Sequence, residues 1–166
     1  MKLVDPILQE LEREAVTTRR VLECVPEGQL GWKPHEKSMS LGTLALHMAN
    51  IPGNISRLAS SEGLDGPPNF ALAEATSTAQ ILEALDTSLA DARTILGAMD
   101  DERAMGMWSM SKDGKTIMSM PRIAVLRNIL LNHWYHHRGQ MTVYLRLLGV
   151  PLPSVYGPSA DENPFG

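Results

Sequence analysis

A chain of 166 residues is long enough for one domain with a sizeable core and too short for two comfortable ones. Its 15 Lys and Arg against 19 Asp and Glu give a formal charge of −4. The charges are spread along the chain, so the basic stripe of a nucleic-acid surface is missing.

No stretch approaches the roughly 18 apolar residues of a membrane span. The start, MKLVDPILQELERE, turns charged and amphipathic at once, unlike a secretory signal. The expectations are therefore a cytoplasmic protein with no nucleic-acid and no membrane partner. Cys24, the single cysteine, excludes an internal disulfide and any cysteine-cluster metal site. Beside Val21, Leu22 and Val25 it reads as a small core residue.

In chain order, the first periodic segment runs from about Pro6 to Val25. Ile7, Leu8, Leu11, Ala15, Thr18, Leu22 and Val25 recur at helical steps, and Asp5-Pro6 reads as N-cap plus first turn. Pro26 and Gly28 stop it. Gly31 to Met39 is a loop with one large apolar anchor, Trp32. A second helix begins near Ser40, a good N-cap, and carries Leu41, Leu44, Met48, Ile51, Ile55 and Leu58 on one side. Pro52 and Gly53 predict a kink or loosening inside it. Gly63 to Asn69 is a breaker run. A third helix spans about Ser77 to Gly97 along Ile81, Leu85, Leu89, Ala92 and Leu96.

Met105 to Met120 alternates weakly around Asp113-Gly114 and is expected to be an irregular crossover in preference to a hairpin. A fourth helix runs from about Pro121 to Leu148, before Gly149 and Pro151. The tail from Val155 is loop. With aromatic residues at 5% and Leu, Ala and Met abundant, the expected fold is all-α: a four-helix bundle, one domain over residues 1–166.

The last helix contains His133-Trp-Tyr-His-His137. An i, i+4 pair projects from one face and can close on one ion. The apolar line of this helix reads Leu126, Leu130, 133, 137, Met141, Tyr144 and Leu148, which puts both rings toward the interior. Two buried imidazoles side by side need partners for their donors and acceptors, and a shared cation satisfies both. The second helix adds His47, between Leu44 and Ile51 on its own inward stripe. His47, His133 and His137 are therefore the predicted ligands of one divalent metal ion, with zinc, nickel or ferrous iron all suited to imidazole.

His136 points about 100° away from His137, toward a rim role, and His35 sits in a solvated loop. Arg138, Gln140, Tyr144 and Arg146 lie near the ligands in sequence, and no catalytic residue is assigned. Neither HExxH, G-x-S-x-G nor a phosphate-cradling loop occurs.

These residues resemble the DinB/YfiT-like superfamily, the damage-inducible DinB proteins of bacteria. The resemblance rests on Trp32-Lys-Pro-His-Glu-Lys-Ser, Ser40-Leu-Gly-Thr-Leu-Ala-Leu-His47, Asn132-His133-Trp-Tyr-His-His137-Arg-Gly-Gln140, Tyr144-Leu-Arg-Leu-Leu-Gly-Val-Pro and Tyr156-Gly-Pro-Ser-Ala-Asp161. It implies a four-helix bundle, often a homodimer, whose metal is held by one histidine of the second helix and two of the last. Carried onto this chain, those are the same three residues.

It also implies a small-molecule substrate. Relatives include bacillithiol S-transferases and mycothiol-dependent maleylpyruvate isomerases, so a low-molecular-weight thiol is one expected partner and a thiol-dependent S-transferase the favoured activity. The alternatives are a metal-dependent hydrolase and a non-catalytic stress-induced metal-binding bundle. A fourth ligand from the tail, such as Asp161, would favour the non-catalytic reading, because structural zinc sites are closed by four protein ligands.

Overall fold

Helix α1 (Asp5–Glu23) buries Ile7, Leu11, Ala15, Thr18, Val21 and Leu22, the face its periodicity predicts. Asp5 is its first residue instead of its cap, and its carboxylate accepts the Lys2 N–H at 2.6 Å. The computed structural model describes residues 1–66 and 72–166. Cys24 caps the end of α1 half-buried, its thiol donating to the Arg20 carbonyl, so it lies at the margin of the core and not inside it.

Helix α2 (Leu41–Ser60) starts where Ser40 Oγ accepts the Thr43 N–H at 3.1 Å. Glu74 reinforces this cap, accepting from the Ser40 and Thr43 hydroxyls at 2.6 and 2.8 Å. Pro52 does not break the helix. Proline supplies no N–H to the carbonyl four residues back, which leaves the Met48 carbonyl free. Trp134 Nε1 donates to that carbonyl at 3.0 Å. The next N–H, of Gly53, goes to Ser88 Oγ at 2.8 Å. Glycine gives the space for this approach, since a Cβ would sit a tight 3.1 Å from the Ser88 carbonyl oxygen. The expected loosening is thus replaced by two bonds to neighbouring helices.

Helix α3 (Thr78–Ala98), capped by Ser77, buries the five residues of its predicted line and packs against both α1 and α2. A single turn, α4 (Asp101–Met105), follows.

The fold is not purely all-α. Strands β2 (Met107–Lys112) and β3 (Lys115–Pro121) form an antiparallel hairpin, and β1 (Leu64–Asp65) joins β2 in parallel. The hairpin replaces the expected irregular crossover. Its cause is visible in the chain: Asp113 and Gly114 have φ of 51° and 73°, the paired left-handed conformations of a two-residue hairpin turn. Only Trp108 of the two strands is fully buried, which explains the weak alternation. The expected breaker run at Gly63–Asn69 supplies β1 from its first half. Its Pro67, Pro68 and Asn69 lie outside the described residues.

The last helical stretch comprises α5 (Arg122–Val125), a π-helical turn (Leu126–Leu131) and α6 (Asn132–Leu147). Wider i→i+5 turns rotate the following residues relative to an unbroken α-helix. The most buried line of α6 is accordingly Trp134, Arg138, Met141 and Leu145, with His137 beside it. The expected line through His133, Tyr144 and Leu148 lies one step to the side, and those three are half-buried. α6 packs against α2 and α1, which closes the helices around a shared core. Among the described residues, no helix is long and apolar enough to cross a membrane.

Candidate metal centre

His47 stands one residue before Met48, and His133 one residue before Trp134. The bond from Trp134 Nε1 to the Met48 carbonyl therefore fixes the height of α6 against α2 at the level of these two histidines. His137 follows one turn later, with 6% of its surface exposed, while His47 and His133 are half-buried.

The three rings converge. Each pair stands edge to face at 86–89°, with centroids 4.3–5.4 Å apart. His133 Nε2 lies 3.2 Å from His47 Nε2 and 3.1 Å from His137 Nε2. One ring nitrogen from each residue lies within 4.8 Å of the others, and among the described residues these three make up the cluster.

Hydrogen bonding alone does not satisfy this geometry. A neutral imidazole nitrogen carries either one proton or one lone pair, so His133 Nε2 can serve one neighbour and not both. Gln140 Oε1 lies 2.7 Å from His137 Nδ1 and, as an acceptor, holds the ring proton there. The lone pair of His137 then sits on Nε2, facing the other rings. A carbonyl or carboxylate on the far nitrogen is the usual support of a metal-binding histidine.

The spacing also fits a cation. At Zn–N distances of about 2.0–2.1 Å, ligand nitrogens stand roughly 3.3 Å apart in a tetrahedron and roughly 2.9 Å apart in an octahedron. The observed 3.1 and 3.2 Å fall between.

Electrostatics favour the ligating form. Burial pushes the pKa values of His47 and His133 below the ordinary imidazole value, helped by their histidine neighbours. Burial lowers His137 to about 4, against a smaller upward pull from Gln140. All three rings are therefore neutral near pH 7, as a metal ligand must be.

An apolar cavity of about 350 Å3 opens onto His47 and His133. Ile55 and Leu58 of α2, Ile129 of the π-helical turn, and Trp108, Met110 and Met118 of the hairpin form its walls. Met110 and Met118 are directly paired across β2 and β3.

The other residues noted in the sequence lie elsewhere. His136 is exposed on the outer side of α6, and His35 is exposed in its loop. Asp161 pairs with Arg146 at 2.5 Å and accepts the Leu152 N–H at 2.9 Å, away from the histidines. Tyr144 packs edge-on against Trp32 at 5.7 Å. Two residues carry more structure than sequence position suggested. Gln140 orients His137. Arg138 is 1% exposed and reaches α1 through the Glu14 carboxylate at 2.5 Å and the Thr18 hydroxyl at 3.1 Å. The step Trp134–Arg138–Met141–Leu145 could have revealed its inward direction.

Comparisons agree with this architecture. A protein of Bacillus subtilis known as the uncharacterized protein YrdA is 28% identical over 168 residues, covering 96% of this chain and 91% of its own. Two crystal structures share the fold. A DinB-like protein from Bacillus cereus has a TM-score of 0.66 at 22% identity, over 92% of this chain and 97% of its own. A DinB-like protein from Bacillus subtilis has a TM-score of 0.68 at 18% identity, over 91% and 97%. The model of the DinB family matches residues 1–163, and the chain belongs to that family.

Proposed function

We propose that this protein is a metal-dependent enzyme that holds one divalent cation on His47, His133 and His137 and catalyses transfer of a low-molecular-weight thiol. The observation that carries the reading is the meeting of three neutral imidazoles around one point, with His137 oriented by Gln140. The scaffold assumed is a bundle of α1, α2, α3 and the last helical stretch, supported by the packing of α2 on α3 and α6 and of α1 on α3 and α6.

When bound, a divalent ion with three histidine ligands supplies a Lewis acid that lowers the pKa of a coordinated thiol or water. The chain's own contributions are distinct. His137 presents Nε2 because Gln140 retains the proton on Nδ1. His47 and His133 complete a one-sided set of donors, and their exposed edges leave the cavity side open. The absence of Asp161 from the cluster favours an open site over a closed structural one. Thiol transfer is favoured over hydrolysis because, among the described residues, no carboxylate lines the cavity as a general base. Cys24 as a lone thiol suits a reducing, cytoplasmic setting.

The test begins by stripping the protein with a chelator and reloading it with zinc, nickel or ferrous iron. Thioether formation from 1-chloro-2,4-dinitrobenzene and a panel of small thiols is then followed. The reading predicts one ion per chain and a metal-dependent rate that His137→Ala abolishes. One ion with no transfer by any thiol would leave the hydrolytic or non-catalytic readings. No ion would remove the foundation of all three.

A further inference from the structure

We infer that the cavity beside His47 and His133 is the binding site for an uncharged, apolar small molecule, the acceptor in the proposed reaction. This rests on the metal-dependent reading for its chemistry but on the cavity alone for its binding. Among the described residues, the two imidazoles are the only polar side chains in the lining; the others are aliphatic, methionine or Trp108. A carboxylate or ammonium group placed among them would lose its hydration without gaining a partner, which is strongly unfavourable. The one polar end such a ligand can carry must face the histidines. That orientation brings its reactive group to the metal centre.

Size narrows the class. At about 350 Å3 the cavity lies at the small end of the 300–1,000 Å3 typical of small-molecule sites, enough for about one or two fused rings. Met39, Met110 and Met118 line it, and unbranched thioethers repack around varied shapes, so selectivity should rest on polarity and size more than on outline. The polar side chains are segregated. Thr43, Asn50 and Asn54 border a separate recess of about 40 Å3 that also touches His47. Among the described residues, the apolar chamber offers a charged molecule no partner beyond the two imidazoles.

The experiment titrates the chelator-stripped protein calorimetrically with 1-naphthol and with 1-naphthoate, which carries a carboxylate on the same ring system. Without a metal ion, no cation draws the carboxylate in. Naphthol is expected to bind once per chain and at least about tenfold more tightly than naphthoate. Met118→Trp fills the chamber from the hairpin and should weaken naphthol by at least about tenfold. Ile129→Trp fills it from the helical wall, should the first variant disturb folding. Equal or tighter binding of naphthoate, or naphthol binding untouched by both substitutions, would overturn the inference. So would an affinity that falls as protein concentration rises, because a second copy would then occupy the chamber. Zinc separates the two readings. A protein that takes naphthol but not zinc keeps the chamber and loses the metalloenzyme. One that takes zinc but not naphthol does the reverse.

Discussion

Gln140 is the residue on which the orientation of His137 depends. Replacing it with Leu removes the acceptor at Nδ1 and frees the proton to move to Nε2. Supports of this kind are worth about 10–100-fold in metal affinity. Zinc affinity of Gln140→Leu, measured by competition with a chromogenic chelator, should fall by about that factor, with the circular dichroism spectrum unchanged. An unchanged affinity would show that the bond to Gln140 is incidental. The histidines also set a pH dependence in the metal-free protein. Their folded pKa values are depressed by burial, His137 to about 4, against about 6.5 in the unfolded chain. Between these values the unfolded state binds more protons, so stability rises with pH through this window. The contribution is complete above about pH 6.5 and is lost as pH falls toward 4. Urea midpoints of metal-free protein should drop across that interval, and His137→Ala should flatten the drop. The histidines were legible in the sequence because they fall at helical steps among leucines. Gln140 and Arg138 were not assigned roles, since sequence proximity alone does not say which side chains turn inward after a π-helical turn.

At the scale of elements, α2 and α6 are held in register by a bond that exists because Pro52 cannot donate. Trp134→Phe would leave the Met48 carbonyl buried and unpaired, at a cost of about 1–3 kcal/mol. Pro52→Ala would return a helical N–H to the same carbonyl. The cost of Trp134→Phe should therefore be smaller in a Pro52→Ala background, as a double-mutant cycle by denaturant unfolding can measure. Strict additivity would contradict this account of the bond. The long helices were legible because each carries a regular apolar stripe and two have serine caps, Ser40 and Ser77. The hairpin was harder to read. Met107-Trp-Ser-Met-Ser-Lys has weak strand propensity and buries only Trp108 completely, so the Asp113-Gly114 turn was its one strong signal. Its inner face nevertheless supplies much of the cavity wall.

For the whole molecule, most folding energy should come from apolar burial, with the metal contributing through binding linkage. A fully buried leucine contributes about 1.5–3 kcal/mol, and the core holds many. Chelation should therefore lower the melting temperature by several degrees while leaving a cooperative, helical melt; a ligand at 100 times its dissociation constant stabilises by about 2.7 kcal/mol. Loss of the helical signal at room temperature on chelation would mean that the ion is structural. The tail is tied to the body by Arg20 with Glu162 at 2.7 Å, Arg146 with Asp161, and Tyr156 with Arg138. These long-range pairs could not be read from local pattern. The family resemblance implies a homodimer, for which Val143 and Leu147, exposed one turn apart on α6, would supply apolar contacts. Light scattering at micromolar concentration should give twice the chain mass, and a single-chain mass would contradict the dimer.

That three histidines hold one cation is what the proposed chemistry depends on. A crystal of the stripped protein reloaded with zinc, measured on both sides of the zinc absorption edge, locates that ion directly. One anomalous peak per chain is expected, about 2.0–2.1 Å from a ring nitrogen of each of His47, His133 and His137. A peak elsewhere, or rings turned apart with no peak between them, would contradict it.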